Sequence, residues 1–305
     1  MRLREVEKGD GFGYRILFGF ISMISGMRLP DAARIVMYHK DFYGKPMTSW
    51  TQAAMRGKSD WSVGERELMA AMVASWNQCP FCIDAHGSIS SLEIGESLVK
   101  STLEDFQHAD ISPELKTTLA FLKILTQTPS DLSASDAKKV FDNNVSPQAL
   151  EDAIAVASLF SITVRCANAF NFELLDDKDS ASAAKRMLKQ GYVFGKRKPN
   201  ERAGHQAFAE VLRKRVLEGP GKTEAVLRQA IAKRVTDNTR IEEPYDTMAM
   251  LVAEASYKVT DELIKKVVAK SGSEKAAFEL ITTAAVSAGL YRWRTGISVM
   301  QNISV

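Results

Sequence analysis

The residues best suited to chemistry lie in one short run, Cys79-Pro80-Phe81-Cys82-Ile83-Asp84-Ala85-His86, with Glu67 ahead of it. Two cysteines separated by two residues can alternate between a dithiol and a disulfide, or they can supply half of a metal site. A nearby imidazole can take a proton from a thiol, and the thiolate is the reactive nucleophile. A carboxylate beside that imidazole fixes its tautomer and supports it as a base.

These side chains require two helices joined by a tight corner. Ser62-Val63-Gly64-Glu65 has the form of a capping box and opens a helix that runs to Trp76 and carries Glu67. Its pattern reads as amphipathic. Asn77 and Gln78 end that helix, Cys79 takes the cap position, and Pro80 suits the first position of the next. Both sulfurs then sit at a helix N-terminus, where free N–H groups and the macrodipole favour a thiolate. Cys79, Cys82 and His86 follow at three- and four-residue steps, so they share one helical face.

Glu67, eleven residues, Cys79, two residues, Cys82, three residues, His86 resembles the pattern of the alkylhydroperoxidase AhpD-like group in the carboxymuconolactone decarboxylase superfamily. The local likeness covers about residues 62–87, and a weaker one continues to about 172 and again over 223–300. The resemblance implies an all-α, AhpD-like, homo-oligomeric protein that reduces peroxides with its cysteine pair and holds no cofactor. It implies that Cys82 attacks the peroxide, that Cys79 then closes the disulfide, and that Glu67 and His86 move the proton. It also implies an external dithiol reductant, a lipoyl-bearing or thioredoxin-like protein. Peroxidase members can carry a second histidine between the cysteines, and here that position is Phe81, which passes no protons. Lactone-decarboxylating relatives lack the cysteine pair. The alternative function is a non-catalytic scaffold or small-molecule binding protein.

A zinc reading would use Cys79, Cys82, His86 and either Glu67 or His39. No second CxxC or HxxxH accompanies them, so no metal is expected. His39, in Met37-Tyr38-His39-Lys40, reads as a surface or packing residue, and Cys166 as a core thiol. Gly219-Pro220-Gly221-Lys222-Thr223 looks like the end of a phosphate loop. Val216 stands where its first glycine belongs, so the run reads as a helix-to-helix turn.

Helix starts near Pro30, Ser62, Pro80, Ser112, Ser133, Ser146, Arg202, Thr223, Thr260 and Ser273, with no hairpin signal, make the chain all-α. Leu175 to Ser182 reads as a loop. The segment 146–172 is apolar on two faces, as a central or interface helix would be. Leu132–Arg165 aligns without a gap on Val259–Arg292 at an offset of 127, with eight identities. The repeat predicts two tandem lobes, 1–195 with the redox residues and 196–305 as a degenerate partner without cysteine. With 40 basic and 37 acidic residues among 305, the charge balance predicts no nucleic-acid partner. The apolar stretch from Ile16 to Ser25 is too short to span a bilayer, and no membrane partner is expected. Three cysteines make no disulfide framework, which points to the cytoplasm.

Overall fold

The computed structural model describes residues 1–9, 12–25, 28–193 and 204–302, and among them the chain forms sixteen α-helices and no strand. The helix starts follow the sequence signals. Ser62 and Ser133 close capping boxes, while Ser112 and Thr260 accept backbone N–H bonds at the heads of their helices. Two expectations change. Leu175 to Ser182 is not a loop throughout, because a helix spans Asp177–Gln190, with Asp177 and Asp179 in its first turn. The Val63–Trp76 helix is not amphipathic either: every residue from Arg66 to Ala74 is buried.

The chain divides into two units, each assembled from three segments. One comprises Met1–Thr48, Ile162–Asp179 and Ala207–Ala288; the other comprises Ser49–Ser161, Ser180–Gln206 and Gly289–Val305. The divisions after Ser161 and after Ala288 lie 127 residues apart, the offset of the sequence repeat. They fall inside the two long helices, Pro147–Phe170 and Glu274–Gln301. Both apolar stripes of Pro147–Phe170, from Leu150 to Phe170, are buried in the chain itself. The predicted boundary at 195 and 196 lies outside the described residues.

Hydrogen bonds carry the repeat into three dimensions. Arg292 Nε donates to the Thr126 carbonyl at 3.0 Å, and Arg165 Nε donates to the Ala253 carbonyl at 3.0 Å. Both donors and both acceptors are 127 positions apart. A second offset, 162, relates the earlier elements. Arg66 Nη1 donates to the carbonyls of Ala54 and Gly57, both at 2.9 Å, and Arg228 donates to those of Val216 and Gly219. Each arginine ties down carbonyls left over at a helix end, where an unpaired buried acceptor would be costly.

The offset falls from 162 to 127 between these features, so the second copy lacks 35 residues found in the first. The extra stretch of the first copy corresponds to the region of the Pro80–Ile94 and Glu96–Asp105 helices. The second copy therefore lacks the cysteine-bearing elements themselves. At the offset of 162, the exposed Gln229 stands where Glu67 stands in the first copy.

The phosphate-loop look-alike is a turn between the His205–Leu217 and Ala225–Asp237 helices. Its anion is internal. The Lys222 and Thr223 N–H groups donate to the Glu279 carboxylate at 2.6 and 2.7 Å, and the Thr223 hydroxyl donates at 2.6 Å. His39 Nε2 lies 2.9 Å from the same carboxylate, so His39 has a partner within its own unit. Burial opposes ionisation of Glu279, but His39 and these loop donors outweigh it and bring its pKa down to about 2. A folded pKa below the ordinary carboxylate value gives stability at higher pH that disappears as pH falls from ~4.5 toward about 2. Urea unfolding as a function of pH should show this loss, worth ~3 kcal/mol by the usual conversion. In Glu279→Gln the stability at neutral pH should be lower and this part of the acid dependence should vanish. An unchanged acid profile would remove Glu279 from that role.

Candidate active site

Glu67 and His86 face each other because the two helices carrying them form a tight antiparallel hairpin. The Val63–Trp76 helix ends where Gln78 adopts a left-handed backbone (φ 52°) and the Cys79 N–H returns to the Ala74 carbonyl at 3.0 Å. Cys79 is the N-cap of the Pro80–Ile94 helix and Pro80 its first residue. At the far end of the hairpin, the Ser90 hydroxyl donates to the Gly64 carbonyl at 2.9 Å. Gly64 has to be small there: a Cβ would lie 2.6 Å from the Ile94 side chain.

His86 Nδ1 is 2.7 Å from Glu67 Oε2. That bond assigns the Nδ1 proton to the donor role, so Nε2 is the ring nitrogen able to accept one. The imidazole edge packs on the Phe160 ring, with centroids 4.4 Å apart. Neither Cys79 nor Cys82 is in a disulfide, both are buried, at 1% and 0% exposure, and Phe81, between them in sequence, is buried as well.

Two further residues complete the site. Arg56 Nη1 is 2.7 Å from Glu67 Oε1, and the Tyr192 hydroxyl donates to both Glu67 oxygens at 2.9 and 3.1 Å. The Arg56 guanidinium also lies over the Tyr192 ring, 5.1 Å from its centroid. Burial alone would push Glu67 toward its neutral form. The bond from His86 and the charge of Arg56 outweigh it and hold the carboxyl below its ordinary value. Burial and the neighbouring carboxylate push Tyr192 well above the usual phenol range, so it is a neutral donor. Arg56 is raised despite its burial, through Tyr192 and Glu67. Burial and Arg56 lower the adjacent Arg66 to about 10, yet its carbonyl partners keep it in place.

No family model and no curated protein matches the chain. Solved structures similar to it include an alkylhydroperoxidase AhpD core, an uncharacterized peroxidase-related protein from Ralstonia eutropha JMP134. It is 19% identical, with 55% of this chain and 88% of that one covered, at a TM-score of 0.48. An uncharacterized peroxidase-related protein from Silicibacter sp. TM1040 is 21% identical over 56% and 88%, at 0.47.

Of the residues expected from sequence, Glu67 and His86 are directly bonded, and Cys79 and Cys82 head the helix that bears His86. His39 and Cys166 belong to the other unit. Cys166 has no exposure, and burial pushes its thiol up to about 12 despite the Tyr43 hydroxyl 3.9 Å away. No motif marked Arg56 or Tyr192. The one available signal was glycine: Gly57 follows Arg56 and Gly191 precedes Tyr192.

Gly191 has φ 73°, and its Cβ would fall 2.4 Å from Gln52 Oε1, the atom that accepts the Tyr192 N–H at 2.7 Å. Gly191→Ala combines an unfavourable backbone region with this clash, and should lower stability by roughly 1–3 kcal/mol. Thermal or urea unfolding reads the effect, and a variant as stable as the parent would refute this account of Tyr192 placement.

Proposed function

We propose that this chain is a thiol-dependent peroxidase whose Cys79 and Cys82 are oxidised to a disulfide by a peroxide and reduced again by an external dithiol. The observation that carries the reading is the 2.7 Å bond between His86 Nδ1 and a Glu67 held as an anion. It leaves Nε2 as the base on the helix that begins with both cysteines.

In this reading His86 Nε2 takes the Cys82 proton, directly or through water. The thiolate attacks one peroxide oxygen: an S–O bond forms, the O–O bond breaks, and the leaving alkoxide takes the proton back from the imidazolium. Cys82 is then a sulfenic acid and the peroxide an alcohol. The Cys79 thiol attacks that sulfur; an S–S bond forms, the S–O bond breaks, and water leaves. A lipoyl or thioredoxin-like dithiol reduces the disulfide by two exchange steps and is itself oxidised. Phe160 gives His86 an apolar neighbour and Phe81, between the cysteines in sequence, is buried, which suits an organic peroxide. Cytoplasmic residence, where such dithiols are kept reduced, and a homo-oligomeric state belong to the same proposal.

The burial of both sulfurs favours the second reading, a non-catalytic scaffold or small-molecule binding protein. In the peroxidase reading a local opening must admit the peroxide. Turnover of an organic peroxide with a dithiol donor separates the two. The parent should consume peroxide, and without donor it should lose two thiols while Cys166 survives until denaturation. Cys82→Ser should abolish the first step, and Cys79→Ser should stop at a sulfenic acid that dimedone traps. Glu67→Gln should slow the first step by about 10²-fold or more. No consumption by the parent with any dithiol donor would leave the non-catalytic reading.

A further inference from the structure

We propose that Arg56 and Tyr192 form a charge-balancing clamp on Glu67, which positions the carboxylate against His86 and offsets its charge there. The inference rests on the proposed role of His86 as the base, and it deepens that role by naming what tunes it.

The geometry gives each carboxylate oxygen a defined set of donors. Oε2 receives His86 Nδ1 at 2.7 Å and the Tyr192 hydroxyl at 3.1 Å; Oε1 receives Arg56 Nη1 at 2.7 Å and the same hydroxyl at 2.9 Å. The hydroxyl also lies 3.4 Å from His86 Nδ1, so it sits between acid and imidazole. Neither clamp residue belongs to the hairpin that carries Glu67 and His86. Arg56 closes the Lys45–Arg56 helix, and its Nη2 donates to the Met187 carbonyl at 3.2 Å. Tyr192 follows Gly191 and is fixed by Gln52.

A buried carboxylate acting alone on an imidazole strongly favours the imidazolium, and an imidazolium is no base. The Arg56 charge opposes that field, and the Tyr192 hydroxyl donates to both carboxylate oxygens. Among the other charged or titratable groups around His86, Arg66 also acts on Glu67 through its charge, but its guanidinium is bonded to the Ala54 and Gly57 carbonyls. Asp84 accepts from Ser180 at 2.7 Å. Cys79 and Cys82 lie on the His86 helix itself, and Phe160 is apolar. Asp152 is bonded to Ser59 and His205. Removing Arg56 leaves the Glu67–His86 pair with a net buried negative charge, so the pair takes up a proton at higher pH.

The test is an NMR titration of the ring of His86, one of only four histidines, with its signal assigned by its loss in His86→Asn. In Arg56→Gln the midpoint should rise by about one pH unit or more, and in Tyr192→Phe by a smaller amount. Arg56→Lys, which keeps the charge, should stay near the parent. A purely structural role would lower the melting temperature and leave the midpoint where it was. Unchanged midpoints in Arg56→Gln and Tyr192→Phe, with parent-like circular dichroism, overturn the inference. So does an Arg56→Lys midpoint as high as that of Arg56→Gln. Should Arg56→Gln fail to fold, Tyr192→Phe alone decides, since it removes only a hydroxyl. The readout needs no peroxide, so it stands even if turnover is absent.

Discussion

A carboxylate with no exposure to solvent must either lose its charge or be surrounded by donors, and Glu67 is surrounded. Its three partners come from three parts of the chain: Arg56 from the preceding helix, His86 from the following one, and Tyr192 from more than a hundred residues on. Much of the surrounding architecture makes sense as a way to keep these donors in register. The left-handed turn at Gln78 aims the cysteine helix back along the glutamate helix, Gly64 lets the two approach, and Gly191 with Gln52 sets the tyrosine.

The same architecture exists twice, once with this charge and once without it. Arg66 and Arg228, and then Arg292 and Arg165, bond to equivalent carbonyls in the two copies. What differs is the stretch of 35 residues absent from the second copy and the exposed Gln229 at the position of Glu67. The second copy has the same ties at its helix ends and lacks the elements that go with the buried acid. The long helix of each copy contributes residues to both units.

How legible these features were depended on their range along the chain. Ser62, Ser112, Ser133 and Thr260 cap helices through bonds to residues three positions away, so their meaning is local and readable. The segment Leu175–Ser182 misled because acidic and small residues suit both a loop and the first turn of a helix. The Val63–Trp76 helix misled in another way. Arg66 and Glu67 look like the polar side of an amphipathic helix, yet both are buried because distant groups satisfy them.

By itself the sequence determined the helical class, the corner at Asn77–Pro80, the place of Cys79 at the head of the helix that carries Cys82 and His86, and the repeat at an offset of 127. All of these follow from short-range periodicity, capping chemistry or direct alignment. The tertiary structure alone decided that Glu67 is ionised, that Arg56 and Tyr192 hold it, and that His39 serves Glu279 instead. The reason is physical: a charge buried away from water takes its partners from whatever the fold brings within about 3 Å, and that distance has no counterpart along the chain.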